Sequence, residues 1–360
     1  MTAGRSPSDT NGVVFFCGEQ YFTVNDVIDA ACFRGELEPY WKELLGLLQC
    51  QRRAEELGLE PDEAALQAMS EEFRTAHDLI TAEETEDWLE QRGLELDDFI
   101  DYFIRQHWPS SLDEKPEPEA VDYSTADDKL RELLRTDLFL SGAFDRLAVA
   151  LARRVAMSYA AGGGHANVEE IEAVQAQFFD HARIDSAVLP DWLERLGRDE
   201  RWFGGMMKLE AIHRRQCGEL ITSEICECQL NALRLDLASV EAEVVQLDSA
   251  DAAQEALQCV RQDGMALRAV ATEGGYPHRR IRFILEDLDE PWRHRFLCAS
   301  PGMVIGPIPQ ADGFQLCGII EKVGPNLGDA EIRGRVERRV LESYFSESVA
   351  KCIRWIITPS

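Results

Sequence analysis

Apolar residues recur every three or four positions over most of the chain, and this spacing predicts one amphipathic helix after another. The exceptions are informative. "VVFFCGEQYFT" (13–23) alternates and carries aromatic residues, which predicts a short strand pair. Thr23 then stands as the cap of "TVNDVIDAACFRGE". "LEPYWKELLGLLQCQRRAEELGL" predicts a helix stopped by Gly58, and "EPDEAALQAMSEEFRTA" a further one with Pro61 in its first turn. "TAEETEDWLEQRG" and "ELDDFIDYFIRQHW" complete this first set. "PSSLDEKPEPEAVDYS" (109–124), rich in Pro, Ser and acid, reads as a linker.

After it the helical period returns. "DRLAVALARRVAMSYAAGGG" predicts a long helix ending in glycines, and "NVEEIEAVQAQFFDHA" one capped by Asn167. "ITSEICECQLNALRLDLAS" (221–239) predicts another, capped by Thr222 or Ser223. From residue 240 the period changes. "EAEVVQLDS" reads as a strand, "ADAAQEALQCVRQDG" as a helix ending at Gly264, and "MALRAVATEGG" as a short helix. "RRIRFIL" is a strand with basic residues on one face, "DEPWRHRFLCAS" a helix, and "PGMVIGPIPQADGFQLCGIIEKV" (301–323) a β-hairpin. "GDAEIRGRVERRVLESYFSESVAKCIRW" closes the chain as a long amphipathic helix.

Two stretches match at an offset of 104 residues. Asp87, Trp88, Leu89 and Glu90 meet Asp191, Trp192, Leu193 and Glu194; Gly93 meets Gly197, Phe99 meets Phe203 and His77 meets His181. This suggests a duplicated helical module. The expected fold class is mainly α with a C-terminal α+β domain. The expected organisation is a first helical repeat at 13–108 and a second repeat with its connecting helix at 125–239. An α+β domain at 240–325 follows, then a last helix at 326–357 packing back on the helical module.

Charge and composition narrow the function. Hydrophobic residues make up 45% and charged residues 29% of the 360, the balance of a soluble globular chain. No apolar stretch approaches bilayer length, and "MTAGRSPSDTNG" lacks the apolar core of a secretory signal, so neither a membrane partner nor export is expected. A cytoplasmic location is the default. A net charge of −29 argues against nucleic acid. No Ser-His-Asp signature, phosphate loop or dinucleotide fingerprint stands out; "AGGGH" follows a helix and reads as a helix stop. No cofactor is expected. The ten cysteines are scattered in apolar runs and read as packing thiols. His213, Cys217, Cys226 and Cys228 are the one cluster worth weighing for metal, but C-x-C is not the usual knuckle spacing, and no metal is expected.

The order strand–helix–helix–strand–helix–hairpin, with "PG" ahead of "GPI" and then "GFQL", resembles the parvulin (PpiC-type) peptidyl-prolyl isomerase domain. The helical portions around it look like the chaperone segments of SurA- and PrsA-type foldases. The duplicated "WLE…G…F" region before such an end looks like PpiC-related maturation proteins of bacterial ribosomally made peptide natural products. The resemblance implies a proline pocket formed partly by the helix before "PG", which falls on Leu288, Trp292 and, further along, Phe296. Trp292 stands open between pocket and core, and Phe296 leans to core. Where the resembled family carries histidines on its first and last strands, this chain has Glu243 and Gln315. Thr272 and Glu273 are the polar candidates of the intervening loop, and His278 sits off the pattern.

No catalytic residue is therefore assigned. Prolyl isomerisation breaks no covalent bond; its barrier is about 18–20 kcal/mol of amide resonance, and an enzyme must bind the twisted amide better than the planar one. Two readings follow: a peptide-binding chaperone or adaptor with a degenerate parvulin-like domain, or an active isomerase with a substituted site that uses Gln315. The expected partner is a peptide or unfolded-protein client, extending to a precursor peptide and its modifying enzymes. A third reading, a cysteine or metal enzyme, would use Cys298, Cys317 or the 213–228 cluster, with Cys317 placed on the sheet face opposite Gln315.

Overall fold

The computed structural model describes residues 12–112, 121–160, 162 and 166–359. It divides into two compact units, Met1–Cys217 with Tyr344–Ser360, and Gly218–Ser343.

The larger unit starts with an antiparallel pair, β1 (Val13–Cys17) and β2 (Gln20–Thr23). Thr23 caps α1 (Val24–Phe33) through a reciprocal box. Its Oγ1 accepts from the Asp26 N–H at 3.2 Å, and the Asp26 carboxylate accepts from the Thr23 N–H at 2.8 Å. There follow α2 (Glu38–Glu56), α3 (Glu63–Ala76), α4 (Ala82–Glu90), α5 (Leu96–Ser111), α6 (Asp128–Leu140), α7 (Ala143–Ala160), α8 (Val168–Ala182), α9 (Leu189–Arg195) and α10 (Glu200–Leu220). Asn167 caps α8 as expected. Two details differ from the sequence reading. Pro61 precedes the cap of α3, because Asp62 takes that role with its carboxylate accepting from the N–H groups of Ala64 and Ala65. Residues 109–111 complete α5, with Pro109 inside its last turns, rather than opening the linker. Residues 113–120 of that linker, and 161 and 163–165 of the glycine run, lie outside the described residues.

Phe15, Leu44, Leu134, Phe144 and Leu151 are among the side chains of one large core; Phe33, Val174, Phe178, Trp192 and Phe203 are among those of a second cluster in the same unit. The two sequence-matched stretches are built alike. Phe73 on α3 sits edge-on to Trp88 (5.4 Å between ring centroids) and Phe99 (5.3 Å). Phe178 on α8 does the same with Trp192 (5.1 Å) and Phe203 (5.0 Å). Gly93 and Gly197 both take φ of +66° at the matching turn.

The smaller unit holds α11 (Ser223–Ala232), β3 (Ser239–Leu247), α12 (Ala250–Gln262), α13 (Leu267–Gly274), β4 (His278–Ile284), α14 (Glu290–Cys298), β5 (Val304–Gln310) and β6 (Gly313–Val323). Its four strands form an antiparallel sheet in the order β4-β3-β6-β5. The first part of α15 (Ala330–Cys352) belongs here too: Ile332 and Val336 pack with Ile284, Leu237 and Cys226. The unit is thus wider at both ends than 240–325. The last helix also stops sooner than its sequence suggested. Ile353–Trp355 forms β7, which pairs antiparallel with β1, Phe15 opposite Trp355. A run of "IRWII" carries β-branched and aromatic residues that suit a strand better than a helix end.

Alternation along β3 sorts the sheet into two faces. Val245 and Leu247, with Leu316 of β6, lie under Ala253, Ala256 and Leu257 of α12 and Leu267 and Val270 of α13. Val240, Ala242 and Val244, with Ile305, Ile308, Cys317 and Ile319, lie under Phe296 of α14.

Candidate functional site

The face under α14 carries most of the residues that the sequence singled out. The helix is fixed over it at both ends. Pro291 stands in its first turn, and the Arg293 guanidinium donates to the carbonyls of Leu285 (3.2 Å), Glu286 (3.0 Å) and Leu288 (2.9 Å), locking the turn that precedes the helix. At the other end Lys322 Nζ donates to the Leu297 carbonyl at 2.9 Å, a cation where the helix leaves carbonyls unpaired.

Phe296 is 1% exposed and edge-on to Phe283 at 5.2 Å. That burial removes it from any surface a client could touch, so its expected place in the binding set is corrected: it is core. Leu288 and Trp292 are half-buried at the margin of the same cluster, with the Arg295 guanidinium 4.7 Å over the Trp292 ring. They form an apolar ledge supported beneath by that cluster and part-exposed to solvent, with Arg295 lying over the Trp292 ring.

Gln315 lies on this face, but its partner is not Glu243. The β3–β6 register sets Gln315 opposite Gln246, and Gln315 Nε2 donates to Gln246 Oε1 at 2.7 Å, while Gln246 Nε2 donates to Asp312 Oδ1 at 3.3 Å. Glu243 is three residues from Gln246 and projects from the other face, where its carboxylate lies 3.6 Å from His278 Nε2 and 3.7 Å from Arg280 Nη2. Thr272 and Glu273 sit on α13, which covers that same opposite face. None of the three converges on Gln315.

Cys317, two residues beyond Gln315, shares its face rather than opposing it, because side chains two apart on a strand point the same way. Burial pushes its thiol up to about 12, with Arg279 opposing, so it is no thiolate nucleophile. On α14, His294 Nε2 lies 3.7 Å from Cys298 Sγ. In the helical unit His213 and Cys217 approach to 3.7 Å, but burial and then the Arg154 charge hold His213 down to about 4, while burial raises Cys217. Both are neutral, and no activated pair forms. Among the described residues no group of three or more His, Cys, Asp or Glu side chains could hold a metal.

Sequence reasoning missed a concavity in the helical unit. A cavity of about 570 Å³ is lined by Trp41, Trp192, Tyr123, Cys32 and Ile184, among others, with the Lys42–Glu38 ion pair (2.6 Å) also in its wall. His181 also lines it, its Nδ1 bonded to the Gln177 carbonyl at 2.8 Å and its ring laid against Gly35. A Cβ on Gly35 would stand 3.0 Å from His181 Cδ2, and φ there is +72°. Two of its lining residues, His181 and Trp192, belong to the stretch that matches 77–99, and that match was the signal the sequence carried for this corner.

No protein-family model matches the chain, and no curated protein does. Solved structures are similar to it at low values. The peptidylprolyl isomerase PrsA of Bacillus cereus is 11% identical, over 60% of this chain and 84% of its own, with a TM-score of 0.37. The foldase protein PrsA of Streptococcus pneumoniae is 12% identical over 64% and 89%, with a TM-score of 0.26. A chain from the two SurA-like chaperones described in Campylobacter jejuni is 11% identical over 67% and 96%, with a TM-score of 0.20. At these values the functional reading rests on the geometry of the small unit.

Proposed function

We propose that this protein is a peptide-binding chaperone or adaptor whose small unit, a degenerate parvulin-like domain, holds an extended client on the face under α14. A ribosomally made precursor peptide, presented to its modifying enzymes in the cytoplasm, is the client we propose. The carrying observation is the make-up of that face: an apolar ledge of Leu288 and Trp292 together with a neutral Gln246–Gln315 amide pair. The ledge offers a proline or other apolar side chain burial worth about 1–2 kcal/mol. The amides offer hydrogen bonds without charge.

An active isomerase is the second reading, and one detail favours it. An amide nitrogen has two hydrogens, and Gln246 engages only one of those on Gln315, leaving a donor for a rotating client carbonyl. Prolyl cis/trans relaxation over a panel of X-Pro peptides separates the two. Binding without rate enhancement supports the chaperone reading. Enhancement lost in both Gln315→Ala and Trp292→Ala establishes the enzyme instead, and absence of any peptide binding overturns both.

A further inference from the structure

Resting on the peptide-binding reading above, we propose that the client docks along the outer edge of β4 as a fifth strand of the sheet, and that its class is an extended segment alternating acidic and apolar residues. β4 ends the sheet order, paired with β3 alone. Among the described residues, no backbone group of 278–282 is bonded outside that ladder. A strand so placed leaves alternate N–H and C=O groups facing outward, a template for one more strand.

The side chains along this edge specify what would come. Arg280 and Arg282 project from one face. Arg280 is only loosely held by Glu243 at 3.7 Å with its side chain 72% exposed, and Arg282 reaches Asp329 at 3.1 Å. Arg279 is exposed on the other face and has no carboxylate within ion-pairing distance among the described residues. Behind it on its own face come Ile281 and Phe283, half-buried against the cluster that also holds Leu288 and Trp292. An added strand would therefore meet Arg280 and Arg282 on one row of its side chains, and Arg279 followed by an apolar margin on the other. Two copies of β4 pairing with each other would set arginine against arginine, which disfavours a second copy of this chain as the occupant. An acidic strand turns the same charges into attraction, and it would run beside the Trp292 ledge.

The test is fluorescence anisotropy with the full-length protein and a labelled, end-capped Glu-Val-Glu-Val-Glu-Val peptide at low salt. Five comparisons accompany it: a Lys-Val counterpart, two versions N-methylated at one or the other set of alternate amides, the protein variant Arg279→Glu with Arg280→Glu, and Trp292→Ala. The proposal expects binding weakened about tenfold or more by the lysine peptide and by the double arginine variant. It also expects loss with one N-methylated version and retention with the other, because only one set of amides faces β4. That peptide comparison uses unaltered protein and does not depend on a variant folding. Equal binding of both N-methylated versions, or indifference to the arginine changes, overturns edge docking; if Trp292→Ala alone abolishes that binding, the peptide-binding reading stands without it. No binding by any of these peptides overturns edge docking and leaves the arginines as protection of an edge, while the X-Pro panel decides the peptide-binding reading separately.

Discussion

The two faces of the small unit's sheet differ in kind. Under α12 and α13, Val245, Leu247 and Leu316 are fully buried against two helices, and Glu243 on that face stands 3.6 Å from His278 and 3.7 Å from Arg280. Under α14, one short helix covers the middle through Phe296 and leaves Leu288 and Trp292 half-open at the margin. The closed face holds the unit together. The open one has its core beneath and, at its borders, half-buried apolar side chains and a Gln246–Gln315 amide pair, the surface on which the proposed client would lie.

Several substitutions separate the faces, and one breaks both. A Cβ on Gly306 would stand 2.6 Å from Leu316 Cδ2 and 2.8 Å from the Gln315 carbonyl, at φ of +145°. Gly306→Ala is expected to cost about 3 kcal/mol or more in chemical denaturation, since neither the strand backbone nor φ can give way cheaply. Phe296→Ala should cost about 3–5 kcal/mol and Leu316→Ala about 2–5 kcal/mol, one under each face. Trp292→Ala is the contrast: about 1 kcal/mol of stability at most, read by the same denaturation, but loss of client affinity. A stability loss as large as that of Phe296→Ala would make Trp292 core and close the open face.

The smallest effect concerns the support of α14. Arg339 and Arg335 hydrogen-bond Glu286 and hold its carboxyl below the usual range. A depressed folded-state pKa means the stabilisation is complete above the ordinary carboxylate value and is lost as pH falls through the lower folded value. Glu286→Gln should therefore flatten the acid limb of the small unit's stability curve, by about 1 kcal/mol or less for so open a network. An unchanged acid limb would show that this anchor contributes nothing.

Much of this architecture was legible because it rests on local signals. Capping residues such as Thr23 and Asn167, the stop at Gly58 and the hairpin at 301–323 are written within a few residues of where they act. What the sequence hid was pairing at a distance. That Ile353–Trp355 would leave the helix to join β1 depends on a partner more than three hundred residues away. The polar partner of Gln315 was missed for the same reason. Register between β3 and β6 is set by the whole sheet, including an irregularity at Glu241/Ala242, and an odd-numbered slip along β3 moves a residue to the other face. Glu243 was one such slip, and Gln246 is the residue that answers Gln315. Phe296 and Trp292, four apart on one helix, differ only in which meets Phe283 and which meets solvent, and no periodicity distinguishes them.

The most direct measurement is transverse-relaxation-optimised NMR of the full-length protein, with labelled Gln side-chain amides and Trp indoles, titrated with an X-Pro peptide. The resonances of Gln246, Gln315 and Trp292 are expected to shift together and saturate at one concentration, while those of the α12–α13 face stay in place. Shifts confined to α12 and α13, or to the helical unit alone, would contradict that expectation.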